Sequence, residues 1–183
     1  MEFIAVCWAL FLGVWFIGAF RASPPTSNSG KRIAVRLGGL LLILLLFSLP
    51  IINRYFHVAV VVNVNPILGW ASVALAAIGV GIAIWARIYL GRNWGGPQMI
   101  QQEHSLVTSG PYRYIRHPIY TGVLLALLGA VLVQGIVWIV VFFCFLYYFI
   151  RSARIEEERM TKLFPDSYPV YMSHTKIFLP FLY

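Results

Sequence analysis

The stretch PIYTGVLLALLGAVLVQGIVWIVVFFCFLYYFI, from Pro118 to Ile150, contains no charged residue. A helix needs about 20 largely apolar residues to cross the hydrocarbon core of a bilayer. This run is too long for one ordinary span and short for two full ones. Gln134-Gly135 near its middle supplies a turn, which predicts a helical hairpin with arms of about 16 residues each.

Three further runs lie toward the N-terminus. Ile67 to about Leu90 is rich in Ala and Gly, the small residues that let membrane helices approach closely. Ile33 to Ile52, uninterrupted from Leu41 to Phe47, reads as another span, and Phe3 to Phe20 as the first. Glu2 precedes that first run and no basic segment does, which predicts a retained anchor, not a cleaved leader. The connections are polar: Arg21 to Lys31 with Pro24, Pro25, Asn28 and Gly30, then Asn53 to Pro66, then 91–116 broken by Gly95, Gly96, Pro97 and Gly110-Pro111.

Charge checks this count independently, because cytoplasmic loops collect Lys and Arg. With five spans, 13 of the 14 basic residues fall on one side and only Arg54 on the other. Treating Pro118 to Ile150 as a single span would split them 8 against 6. The sequence therefore predicts an all-α, polytopic membrane helical bundle of five transmembrane helices, the last two forming the hairpin. The N-terminus is expected outside and the C-terminus in the cytoplasm.

Composition agrees: 60% of the 183 residues are hydrophobic, 11% are charged and the mean hydropathy is +0.80. A soluble domain carries about twice that charged fraction. The formal charge of +8 flanks apolar runs without forming a continuous stripe, so a nucleic-acid partner is not expected. Cys7 and Cys144 sit inside apolar runs and suggest neither a disulfide framework nor a metal site. The length fits one membrane domain, 1–183, with N-terminal spans over 1–66 and a core over 67–183 that includes the loop 91–116 and the tail 151–183.

Polar residues are scarce in such a chain, so their clustering carries information. Five of the six acids, Glu103, Glu156, Glu157, Glu158 and Asp166, lie in the loop or the tail, as do His104, His117 and His174. A hairpin returns the end of its second arm to the start of its first. Arg116-His117 and the segment from Arg151 to Glu158 should therefore be neighbours in one polar pocket.

The order of residues in these segments is His104-Ser-Leu-Val-Thr-Ser-Gly-Pro-Tyr112, then Arg116-His117-Pro118-Ile119-Tyr120-Thr121-Gly122. After the hairpin come Glu156-Glu157, Met160, Phe164, Tyr168 and Tyr171. This order resembles the isoprenylcysteine carboxyl methyltransferase family, with its H-x-L-V-T-S-G-x-Y, R-H-P-x-Y-x-G and E-E-x-x-L-x-x-x-F-G-x-x-Y-x-x-Y blocks, from about Gly91 to Pro180. The same blocks recur in related phospholipid methyltransferases and more loosely in sterol reductases.

The resemblance implies S-adenosylmethionine as methyl donor and S-adenosylhomocysteine as product. It implies cofactor contacts from His104, Leu106, Val107, Tyr112, His117, Tyr120 and the Glu156-Glu157 pair, with Pro118 and Ile119 lining the site between them. The donor carries an ammonium, a carboxylate and a sulfonium. Glu156 suits the ammonium, His117 or Arg116 the carboxylate, and the rings of Tyr112 and Tyr120 suit adenine or the sulfonium.

The implied partner is a lipophilic acceptor, best matched by an isoprenylcysteine carboxylate, entering from the surrounding membrane lipid. Eukaryotic members place a substrate-binding arginine four residues before the matching glutamate, where this chain has Ser152. Arg151 or Arg154 then becomes the candidate, beside Arg116, for contacting the acceptor. The family's F-G is Phe164-Pro165 here, which should preserve a break in the helix, and the N-terminal region is shorter than in the eukaryotic members, so the resemblance implies a prokaryotic form in an inner membrane.

Several features also admit purely structural readings. Glu156 to Glu158 could form a solvated turn, Arg116 could snorkel at the membrane boundary, and Tyr168 and Tyr171 could anchor at the interface. Gly79-Val80-Gly81 matches either a cofactor-adjacent G-x-G or close helix packing. The small residues Ala76, Ala77, Gly79, Gly81 and Ala83 are expected to leave a lateral gap for the acceptor's hydrocarbon chain. A phospholipid N-methyltransferase, a nicotinamide-dependent sterol reductase and a non-enzymatic scaffold are the competing functions.

Overall fold

The computed structural model describes residues 2–21, 65–91, 106–134 and 136–179. All named elements in these segments are helical. They are α1 (Glu2–Arg21), α2 (Pro66–Leu90), a 3-10 turn (Gly110–Arg113), α3 (Pro118–Gln134), α4 (Ile136–Leu163) and α5 (Ser167–His174). The expected span from Ile33 to Ile52 lies outside the described residues. The fold is that of an all-α membrane protein, and α2 and α4 are each long and apolar enough to cross a bilayer.

Local chemistry sets the ends of these helices. Asn65 caps α2 by accepting from the Ile67 amide at 3.0 Å, and Pro66 occupies the first turn, where its missing N–H costs nothing. At the far end Gly91 has φ +51°, a left-handed backbone that favours glycine. Pro118 opens α3 in the same way as Pro66 opens α2. Phe164-Pro165-Asp166 separates α4 from α5, so the proline does break the helix.

The hairpin forms as the apolar run predicts. Tyr120 near the start of α3 stacks on Phe149 of α4 at 4.4 Å between ring centroids, which requires antiparallel arms. The first arm has 17 residues. The second does not stop at Ile150 but continues as helix to Leu163, so α4 carries Arg151 to Glu158 on a rigid extension.

In lipid, helices associate through close packing and not through escape from water. The α2–α3 interface shows this directly. A methyl group added to Gly79 would collide with the backbone of Gly122 and Ala126, and one added to Gly122 would collide with Gly79 and Ala83. Ala76, Ala83 and Ala126 are wholly buried in the same seam.

This corrects the expectation of a lateral gap. Ala76, Gly79 and Ala83 face α3 and are filled by it, while Ala77 and Gly81 point outward. Gly79 is thus a close-packing glycine. Beyond this seam, Leu127, Trp138 and Phe149 form the core that α1 covers through Trp8 and Phe11. Phe143, Tyr147 and Tyr148 stay exposed on α4, as lipid-facing residues should.

Candidate functional site

Three segments meet at the polar end of the hairpin: 106–117, the extension of α4, and the tail beyond α5. Gly110 begins the 3-10 turn at φ +59°, with the ring of Tyr89 where a side chain would sit. Both conditions demand glycine. The turn buries Pro111 and Tyr112 and delivers Ile115, Arg116 and His117 to the start of α3.

The tail is laid alongside this segment as a short parallel bridge between Ile115 and Lys176. The Arg116 amide donates to Lys176 O at 2.7 Å and the His117 amide to Ile177 O at 3.1 Å. The Thr121 hydroxyl donates to Phe178 O at 2.7 Å, and the Tyr171 hydroxyl to Tyr112 O at 2.6 Å. Burial pushes the Tyr171 phenol up to about 12, so it acts as a neutral donor. Tyr168 is only 3% exposed. Tyr171 thus fastens α5 to the loop, and Tyr168 is buried beside it at 5.8 Å between ring centroids, not set out as an interfacial anchor.

Arg116 is the hub of the junction. Its Nε donates to Glu157 Oε1 at 2.6 Å, with both side chains largely out of contact with solvent. Its Nη1 donates to the carbonyls of Met172, at 3.2 Å, and Thr175. A planar guanidinium suits such divergent donation better than a lysine ammonium would. Arg116 thus ties α3, α4 and the tail together and does not snorkel.

His117, 8% exposed, stands between two carboxylates. Nδ1 lies 3.4 Å from Glu156 Oε2, and Nε2 lies 3.4 Å from Glu157 Oε1 without an aligned hydrogen bond. Burial acts against an imidazolium here, but the two carboxylates outweigh it and raise the histidine above its ordinary range.

Tyr120 is sandwiched between His117, at 5.3 Å and nearly parallel, and Phe149. These two neighbours hold the orientation of the ring, which stays half-buried. Its hydroxyl donates to Glu156 Oε1 at 2.6 Å, which fixes that carboxylate.

Tyr112, Arg116, His117, Tyr120, Glu156 and Glu157 are thus gathered as the hairpin spacing implies. Pro118 is fully buried beneath them and Ile119 is half-buried. Glu158, like Arg151 and Arg154, is exposed on α4, so only part of the acidic run forms a solvated face. His104 lies outside the described residues.

Leu106 and Val107 are half-buried. Leu106 lines an open groove of about 470 Å³ with Thr108, Arg113, Val170, Tyr171 and His174. Among the described residues no three His, Cys, Asp or Glu side chains group as a metal site would require.

Sequence reasoning missed Arg87 and Thr175. Arg87 is 6% exposed near the end of α2 and donates to Gly91 O at 3.1 Å. Counting it among loop charges hid its burial; its place one turn before Gly91 was the available signal. Thr175 has no motif signal, because its role is to offer a backbone carbonyl.

Comparison with known proteins adds two findings. The pattern that describes phospholipid methyltransferases matches residues 67–167, more than half of the chain. The chain is also similar to the cobalt-zinc-cadmium resistance protein CzcN of Cupriavidus metallidurans, 31% identical over 115 residues, which are 62% of this chain and 48% of that protein. It spans about half the length of that curated relative.

Proposed function

Because the chain belongs to the phospholipid methyltransferase family, we propose that it moves a methyl group from S-adenosylmethionine to a lipophilic acceptor at the polar end of its hairpin. The observation that carries this reading is the Glu156–His117–Glu157 cluster closed by Arg116 and Tyr120. The side chains fit the donor chemically. Glu156 keeps 28% of its side chain exposed and presents a carboxylate for an ammonium.

Tyr112, Leu106, Val107 and Ile119 supply aromatic and apolar surface, and His104 belongs to the same set by motif. When bound, the cofactor supplies an electrophilic methyl on a sulfonium and leaves as a neutral thioether. The task of this chain is then to hold and align the reactants and exclude water, effects that carry large rate factors by themselves. Arg116 and Tyr120 do so indirectly, by fixing Glu157 and Glu156.

The first candidate acceptor is an isoprenylcysteine-type carboxylate, on the strength of the motif order. A carboxylate needs no base, which suits a site whose acids are engaged with cations. The match to the phospholipid methyltransferase pattern favours a second reading, a phospholipid amine, which must give up a proton before or during attack. With the acceptor in the bilayer, the site faces the cytoplasm, where the donor is made, and the C-terminus lies on that side of a prokaryotic inner membrane.

Moving a hydrocarbon chain through water would cost about 0.8 kcal/mol per methylene, so the acceptor enters from lipid by a route other than the closed α2–α3 seam. The test is transfer of radiolabelled methyl by the purified protein in lipid nanodiscs, offered a farnesylcysteine analogue or phosphatidylethanolamine. Label in the farnesylcysteine ester supports the first reading, label in the phospholipid the second. Label in neither contradicts both.

A further inference from the structure

His117 is held between Glu156 and Glu157 in a cluster whose charges balance only when the imidazole is protonated. Two carboxylates then face one guanidinium and one imidazolium; with a neutral imidazole the cluster carries a net negative charge away from water, which is costly. The Tyr120 hydroxyl and the Arg116 Nε each donate at 2.6 Å to one carboxylate. Tyr120 brings no charge, and the Arg116 charge is matched by Glu157. Glu156 is therefore the carboxylate whose cation is supplied by His117.

We propose that an organic ammonium group arriving at Glu156 expels the proton of His117. The inference rests on the methyl-donor reading above, since the donor and its product carry such an ammonium. Among the described residues, the printed ion pairs and hydrogen bonds give these two carboxylates no cation besides Arg116 and His117. On α4 the facing groups are Glu156 and Glu157, and on α3 Tyr120.

The loop contributes Arg116, committed to Glu157, and Tyr112; the tail side contributes Tyr168 and Tyr171. Burial holds all three of these phenols neutral. Phe178 closes the tail side of the ring at 6.1 Å, and α2 offers Arg87, which donates to the Gly91 carbonyl. An arriving ammonium beside Glu156 therefore takes over the charge that the imidazolium supplied, and the freed proton passes to solvent.

Linkage fixes the sign. A ligand whose binding releases one proton binds more tightly as pH rises, by about tenfold per pH unit over the range where His117 is charged in the free protein and neutral in the complex. The experiment is titration calorimetry of the full chain in nanodiscs with S-adenosylhomocysteine, in buffers of different ionisation enthalpy. The expected result is release of up to one proton per ligand.

The release should disappear in His117→Gln, and also for the wild type with an analogue of the ligand lacking its amino group, which guards against a variant that fails to fold. Imidazole carbon shifts of His117 should show its titration moving to lower pH when the ligand is added. Binding with no proton release and an unmoved His117 titration overturns this inference and leaves the methyltransferase reading standing. Absence of binding overturns the methyltransferase reading and this inference together.

Discussion

Replacing Arg116 with methionine removes a side chain that bonds to α4, to a carbonyl of α5 and to one just beyond it. The methionine occupies similar volume, so the change is chiefly in charge and donors. Glu157 is left with 12% of its side chain exposed and loses its 2.6 Å partner. Breaking a buried pair from one side costs about 3 to 5 kcal/mol.

His117 still faces Glu157 at 3.4 Å, which argues for the lower end, about 3 kcal/mol. The carbonyls of Met172 and Thr175 turn to water once the tail lifts, so they add little. A loss of about 3 kcal/mol should favour tail opening by about 150-fold, since 1.4 kcal/mol is a factor of ten.

The assay is amide hydrogen exchange in nanodiscs, read at His117, whose amide is bonded to Ile177 O, and at Leu127, buried in the middle of α3, as a control. Exchange at residue 117 should accelerate by about two orders of magnitude while the control is unchanged. Arg116→Lys keeps the charge but not the fork and should fall between. Wild-type exchange at residue 117 in the methionine variant would refute the account of Arg116 as the tie between loop, helix and tail.

Other outcomes follow from the same structure. Glu156→Gln should weaken S-adenosylhomocysteine binding by about 1.5 to 3 kcal/mol while exposed Glu158→Gln does not; equal effects in calorimetry would contradict the assignment of Glu156. Gly122→Leu should abolish the folded state on heating in detergent, because its side chain would enter the backbone of α2, whereas Gly81→Leu, with open space around it, should melt as the wild type does. Because His117 is raised above its ordinary value of 6.5, its contribution to stability is complete below that pH and is lost as pH climbs through the raised value. Thermal unfolding at a series of pH values should show that loss, and His117→Gln should flatten it. A reporter fused after Tyr183 should be active in the cytoplasm, and an extracytoplasmic signal would reverse the proposed orientation.

Most of this architecture is written in one-dimensional signals. The uninterrupted apolar run, its Gln134-Gly135 interruption and the return of Arg151 to Glu158 beside Arg116-His117 follow from helix length and connectivity alone. The pairing of Tyr120 with Glu156 was therefore reachable from spacing. The tail was not: its bridge to Ile115 uses backbone amides and carbonyls, which every residue has and no motif marks.

The fate of the small residues on α2 was equally hidden. Ala76 and Gly79 are as consistent with a gap as with a seam until Gly129 and Gly122 of α3 are placed against them. Charge counting placed Arg87 in a loop because hydropathy has no direction around a helix. The structure turns it inward.

As proposed, the Glu156–His117–Glu157 cluster serves methyl transfer to a lipophilic acceptor. Membranes containing the protein are incubated with methyl-labelled S-adenosylmethionine and then extracted into organic solvent. Wild-type membranes should yield extractable label, and Glu156→Gln membranes with the same amount of folded protein should yield at least tenfold less, as expected from the loss of about 1.4 kcal/mol or more. Equal label from wild-type, variant and protein-free membranes would contradict the account.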